Sequence, residues 1–146
     1  MFKDALALSK NPVCYNGDIF NRSDYRELTE TYLSLGAVML GRGLSTNPAL
    51  IEEIKNNHVI DKQVMKAFHD AVYADYQEIL SGERNVLFKM KELWFYMINL
   101  FEESDKYSKK IKKTDGLRDY EAVISMLFQE LDIAEAPLRG FKYNNK

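Results

Sequence analysis

Residues 12–20, PVCYNGDIF, and residues 37–48, AVMLGRGLSTNP, decide how this chain is read. Each is a short apolar run that stops at a glycine-containing loop. A helical pattern lies between them, and together they outline a strand–helix–strand unit. Pro12 sits at the strand entry, where no ladder donor is needed, and Val13, Cys14 and Tyr15 carry the first strand. Asn16-Gly17-Asp18 breaks it. An Asn-Gly pair commonly makes a hairpin, but no alternating strand follows, so the loop leads to a helix. Ser23 is the predicted N-cap of that helix, and Tyr25, Leu28, Tyr32 and Leu35 recur at helical spacing. Gly36 stands where a left-handed cap belongs. The tetrad Ala37, Val38, Met39 and Leu40 suits a strand buried on both faces, as in parallel α/β sheets.

Gly41-Arg42-Gly43 ends the second run, and Thr46 or Asn47 is the predicted cap of a helix with Pro48 at its first position. Leu50, Ile51 and Ile54 would form its buried face. A glycine loop feeding a helix start offers unpaired amides and close backbone approach to an anion, and Arg42 adds a fork able to bind phosphate through two hydrogen bonds. A Gly-Arg-Gly turn alone is a weak signal, since steric reasons place it in many proteins. The ordered pair NGD then GRG, with one helix between, is stronger. It matches the phosphate site that β/α barrels build after their seventh and eighth strands.

These two segments, with NVLFKMKELWFY at residues 85–96, resemble the tRNA-dihydrouridine synthases, flavoenzymes that reduce uridine in tRNA. The resemblance covers nearly the whole chain. Family members are longer, with a flavin-binding barrel followed by a helical domain, so the chain resembles their C-terminal part, beginning in the helix before strand seven. The implied fold is an α/β fragment, the last two strands and helices of a TIM-type β/α barrel, followed by an all-α helical bundle. The resemblance implies FMN as cofactor, held at Asn16, Gly17, Asp18, Gly41, Arg42 and Gly43, with NADPH as reductant and tRNA as partner. The family's proton-donating cysteine belongs to an earlier segment with no match here, so no catalytic residue is assigned and the isolated chain is expected to be inactive. Dihydroorotate dehydrogenase-like barrels use similar phosphate loops, but they usually end soon after the barrel. The helical C-terminus therefore separates the two families.

At 146 residues with 46% hydrophobic content, the chain can bury one sizeable core but cannot hold a full barrel, which needs roughly 250 residues. The net charge of −2 neither favours nor excludes nucleic acid, so an RNA surface must come from local clustering. One cysteine excludes an internal disulfide, and Cys14 reads as a small buried core residue. His58 and His69 have no partner at metal-binding spacing, so no metal site is assigned. Neither a secretory pattern nor a membrane-length apolar run is present, and the expected setting is the cytoplasm.

Residues 1–57 are read as the barrel part, 58–135 as a helical bundle of tRNA-binding type, and 136–146 as an irregular tail. Asp61 caps a helix carrying Met65, Phe68, Val72, Tyr76 and Ile79, which ends at Ser81-Gly82. The next helix has a wide apolar stripe, including Trp94, that predicts a central place in the bundle. A lysine-rich helix over 105–113 and a last one carrying Leu117, Tyr120, Ile124, Leu127 and Leu131 complete it. Lys106, Lys109, Lys110, Lys112 and Lys113 crowd the short helix, with Lys89 and Lys91 on the preceding one. A lysine run is often just a solvated face. The resemblance favours an RNA-gripping role for these seven, while Tyr107 and Ile111 anchor their helix to the bundle. Asp18 either ties its loop or positions the flavin. The alternative function is a non-catalytic helical RNA- or protein-interaction module with a vestigial α/β cap. Two strands with open edges also predict self-association.

Overall fold

The computed structural model describes residues 2–134, and the tail expected over 136–146 lies outside the described residues. The order is α1 (Phe2–Leu8), β1 (Cys14–Asn16), α2 (Arg22–Thr31), β2 (Ala37–Met39), α3 (Gly41–Thr46), α4 (Leu50–Asn56), α5 (Lys62–Ile79) and α6 (Glu83–Met97). A 3-10 turn, Ile98–Leu100, then leads to α7 (Asp105–Lys113) and α8 (Leu117–Glu130). The fold is mostly helical with one small parallel sheet. In that sheet Cys14 pairs with Ala37, Tyr15 with Val38 and Asn16 with Met39, so the C-terminal ends of both strands lie side by side. The strand–helix–strand reading holds.

Several local expectations do not. Asn21, not Ser23, caps α2: its side chain accepts from Asp24 N at 2.9 Å, and Asp24 reaches back to Phe20 N at 3.0 Å. Helix α2 stops at Thr31, so Gly36 caps nothing. Its N–H bonds Val13 O at 3.1 Å, and a Cβ there would lie 3.2 Å from Pro12 Cβ, so glycine serves the close approach of two segments. The strands are three residues long and covered on one face only. Tyr15 is half-buried beneath Phe2, whose ring meets Tyr15 and Tyr32 edge-on at 5.0 and 5.1 Å. Cys14, Ala37 and Met39 point to the other face and are exposed, which overturns both the buried Cys14 and the doubly buried second strand.

The segment GRGLST is itself helical, as α3, rather than a loop feeding a helix at Pro48. Pro48 disfavours helical geometry at the residue before it, so α3 ends at Thr46 with an extended Asn47 at the cap position. Helix α4 then starts at Leu50, with Ala49 at the cap position. On α4 Leu50 is fully buried, but Ile51 is exposed, contrary to expectation.

The bundle follows its periodicity, except that Ile79 at the end of the α5 stripe is exposed. Asp61 caps α5 by accepting from Gln63 N at 2.6 Å. Met65 of α5, Met90, Trp94 and Met97 of α6, Tyr107 and Ile111 of α7, and Tyr120 and Leu127 of α8 meet in one core. Each such large apolar side chain contributes roughly 1.5–3 kcal/mol on burial. Helix α6 is central, touching α3, α5, α7 and α8, and α3 docks on both α6 and the 3-10 turn. After α8 the chain returns beside that turn, pairing Phe101 with Ile133 in antiparallel fashion.

Candidate functional site: the strand ends and helix α3

The parallel register sets Asn16-Gly17-Asp18 beside Leu40 and the first turn of α3. Arg42 Nη2 lies 2.6 Å from Asp18 Oδ1, joining the two strand ends with a half-exposed ion pair. An exposed pair contributes at most about 1 kcal/mol to stability, so its effect is orientation of the guanidinium. The first amides of a helix lack intrahelical acceptors, and no side chain caps α3. The donor set here is thus backbone amides plus a guanidinium with further N–H groups to offer. That chemistry fits a phosphate.

The three glycines are present for different reasons. A Cβ at Gly41 would meet nothing within 4 Å, so the space before the first turn of α3 is open. A Cβ at Gly43 would fall 2.1 Å from Ile19 O and 2.7 Å from Leu50 Cδ2, so this glycine lets α3 press against the 19–20 segment. At Gly17 it would strike the Tyr15 ring, 2.3 Å from the hydroxyl. Asn16 is exposed at the end of β1.

Asn47, fully buried, is the fixed point behind this site. Its side chain accepts from Ala49 N at 3.0 Å and donates to Glu53 at 2.9 Å, while Glu53 also accepts from Arg22 N at 3.2 Å. These bonds tie the end of α3 to α4 and α2. Sequence reasoning missed Glu53 and Arg22, and the only signal was a carboxylate six residues beyond the Asn.

The seven lysines do not form one surface. Lys89 and Lys91 are two residues apart, about 200° around α6. Lys89 shares its side with Leu93 and Tyr96 beside α3, and pairs with Glu92 at 2.8 Å. Lys91 faces α7, where its ammonium donates to the carbonyls of Lys112, at 3.1 Å, and Thr114, closing the C-terminus of α7. Lys106 lies 3.7 Å from Glu130, and Lys106 and Lys110 stand 5.5 and 5.0 Å from the Tyr107 ring centre. Lys109, Lys112 and Lys113 are exposed. Tyr107 and Ile111 face inward and anchor α7, as the sequence implied.

A second polar cluster lies inside the bundle. Trp94 Nε1, which can only donate, bonds Tyr120 Oη at 2.8 Å, and Tyr120 Oη lies 2.7 Å from His69 Nε2. The Asp70 carboxylate, 2.9 Å from Nδ1, can only accept, so the neutral imidazole carries its proton on Nδ1 and Nε2 accepts from the Tyr120 hydroxyl. Burial holds His69 below its ordinary pKa, against the opposing pull of Asp70. Partial burial works to raise Asp70, but hydrogen bonds from Lys66 and His69 outweigh it and hold the carboxyl below its usual range. Among the described residues no group of three or more His, Cys, Asp and Glu is placed to hold a metal. No helix among them is long and apolar enough to cross a membrane.

The family model described as dihydrouridine synthase (Dus) matches residues 3–138, spanning the strand–helix–strand unit and the helical bundle. No curated protein matches the chain.

Proposed function

Because the chain belongs to the dihydrouridine synthase family, we propose that it serves the reduction of uridine to 5,6-dihydrouridine in tRNA by holding the phosphate end of FMN. The observation that carries this reading is the uncapped first turn of α3 set beside the Asp18–Arg42 pair at two parallel strand ends. The amides of Gly41, Arg42 and Gly43 and the Arg42 fork hold the phosphate. Asp18 keeps the fork in place, and Asn16 and Gly17 border the adjoining chain of the cofactor. Bound FMN supplies hydride transfer, with NADPH as the source of electrons.

In this reading residues 1–57 carry the cofactor end as the last part of a β/α barrel, and 58–135 grip tRNA. The exposed Lys109, Lys112 and Lys113 contact phosphates, with lesser parts for Lys89, Lys91, Lys106 and Lys110, which are already engaged. The setting is cytoplasmic. Cys14 stands on the outward sheet face and is no proton donor for this site, so uridine reduction by the isolated chain is expected to be undetectable.

The test is FMN titration of the chain by flavin fluorescence. Charge-assisted hydrogen bonds contribute about 1.5–3 kcal/mol each before the cost of association, so binding is expected no tighter than about the high micromolar range. Inorganic phosphate should compete, riboflavin should fail to bind, and Arg42→Ala should abolish binding. Tight binding of riboflavin would refute a phosphate-only site. No FMN binding at all would favour the non-catalytic interaction module.

A further inference from the structure

We propose that the seam between α3, α5 and α6 takes an unstacked base of the RNA, with Tyr76 as its stacking and polar contact. This rests on the RNA reading above. A cavity of about 200 Å³ opens at the seam, lined by Ser45, Tyr76, Lys89, Glu92, Leu93 and Tyr96. Its location follows from α3. Ser45 is three residues beyond Arg42 and so shares its side of the helix, and Ser45 Oγ donates back to Gly41 O at 3.1 Å. The cavity thus lies one turn along from the proposed phosphate donors.

Its chemistry suits a base rather than a phosphate or an apolar ligand. Lys89 and Glu92 pair at 2.8 Å, so the lining carries no net charge to attract an anion, yet it presents both donors and acceptors to a base edge. Tyr76 packs against the bundle core, which fixes its ring, while its hydroxyl has no hydrogen-bond partner among the described residues. A rigid aromatic face with a free polar tip is how single-stranded RNA bases are held. A larger groove of about 710 Å³ lies on the opposite side of α6, but it faces away from α3. Its Glu83 and Asp115 offset Arg84 and Lys91, and the Lys91 ammonium is already bonded to carbonyls.

The test titrates the full chain with a short single-stranded oligouridylate carrying one 2-aminopurine, at low and at physiological salt. The unmodified protein should quench the 2-aminopurine on binding. Tyr76→Ala should weaken binding about tenfold, the scale of one base–aromatic stack, with an unchanged salt dependence. Tyr76→Phe should keep the quenching and lose no more than about threefold, the scale of one hydrogen bond. Salt-dependent binding without quenching, unaffected by Tyr76→Ala, overturns the base pocket and leaves the RNA reading standing. Absence of any binding overturns both. The quenching measurement on the unmodified chain does not depend on whether a variant folds.

Discussion

Alanine at Gly43 and alanine at Gly41 should have opposite effects on stability, though the two glycines are two residues apart. At Gly43 the new Cβ would sit 2.1 Å from Ile19 O, about 0.9 Å closer than the 3.0 Å that real Cβ atoms keep from such neighbours. The obstruction is backbone, so no side-chain rotation relieves it. Ile19 is 2% exposed and Leu50 fully buried, so neither side of the contact moves without disturbing packed neighbours. Overpacking of this kind costs about 1–3 kcal/mol, and the backbone clash argues for the upper end. Replacing glycine in a helix returns roughly 0.5–1 kcal/mol, leaving a net loss of about 2 kcal/mol for Gly43→Ala. At Gly41 the Cβ meets nothing within 4 Å, so only the gain remains, and Gly41→Ala should stabilise by roughly 0.5–1 kcal/mol.

Urea unfolding at neutral pH measures both differences, and FMN titration adds the functional arm. Gly41→Ala fills the open space in front of α3, so it should weaken FMN binding while the fold gains stability. Equal stabilities for the two variants would refute the packing argument. Unchanged FMN affinity in Gly41→Ala would show that the phosphate does not approach α3 at that point.

Four further outcomes are expected. Tyr120→Phe leaves the Trp94 N–H and His69 Nε2 without partners inside the bundle, for a loss of about 2–4 kcal/mol, and a change within about 0.5 kcal/mol in urea would sink the buried hydrogen-bond cluster. In the parent chain the folded His69 resists a proton that the unfolded chain accepts, so its contribution is full above about pH 6.5 and falls below that, by at most about 1.4 kcal/mol per pH unit. Lys66, Asp70, Tyr73 and Tyr120 are the titratable groups facing it, with Glu121 bonded to Tyr73 behind them, and Asp70, whose folded pKa is lowered, adds its own loss only below about pH 4. Flat stability between pH 7 and 5 would contradict this. Neutralising Lys109, Lys110 and Lys112 together should flatten the dependence of RNA affinity on salt, since each lost phosphate contact removes released counterions, and an unaltered slope would clear α7 of the role. The bare sheet face with Cys14 and Met39 should drive self-association at high concentration, and a monodisperse monomer by light scattering would count against it.

What the sequence made legible was periodicity. The helices α5 to α8 were readable because residues such as Met65, Phe68 and Val72 on α5, or Tyr120, Ile124 and Leu127 on α8, recur at the spacing of one buried face, and a buried face is a property of a single helix. The paired strands were readable because two apolar runs stop at glycine loops with a helix between them. Contacts between elements were not legible in this way. Gly41 and Gly43 are poor helix formers, so GRG reads as a loop, and only packing of α3 on Ile19 makes it a helix start. Hydropathy marks Cys14 and Met39 as apolar but does not say which face another layer covers. Lys89 and Lys91 are adjacent in a list of charges and opposed on the helix that carries them. The His69–Tyr120–Trp94 cluster joins residues from three helices, and no local pattern announces it.

Helix α3 joins these observations. Its first turn offers the anion donors, Gly43 in its middle fixes its approach to the 19–20 segment, and Thr46 and Asn47 at its end are buried, with Asn47 bound through Glu53 to α4. The same six-residue helix packs on α6 and on the 3-10 turn, and carries Ser45 into the seam cavity. It has no slack in which one end moves alone. A displacement forced at Gly43 must therefore shift the amides at Gly41 and Arg42 and the wall at Ser45 together. The phosphate and the base proposed for these two places would then be coupled through a rigid element rather than through contact with each other. Gly43→Ala should weaken FMN and oligouridylate binding in one step, whereas Tyr76→Ala, which leaves α3 in place, should weaken only the second.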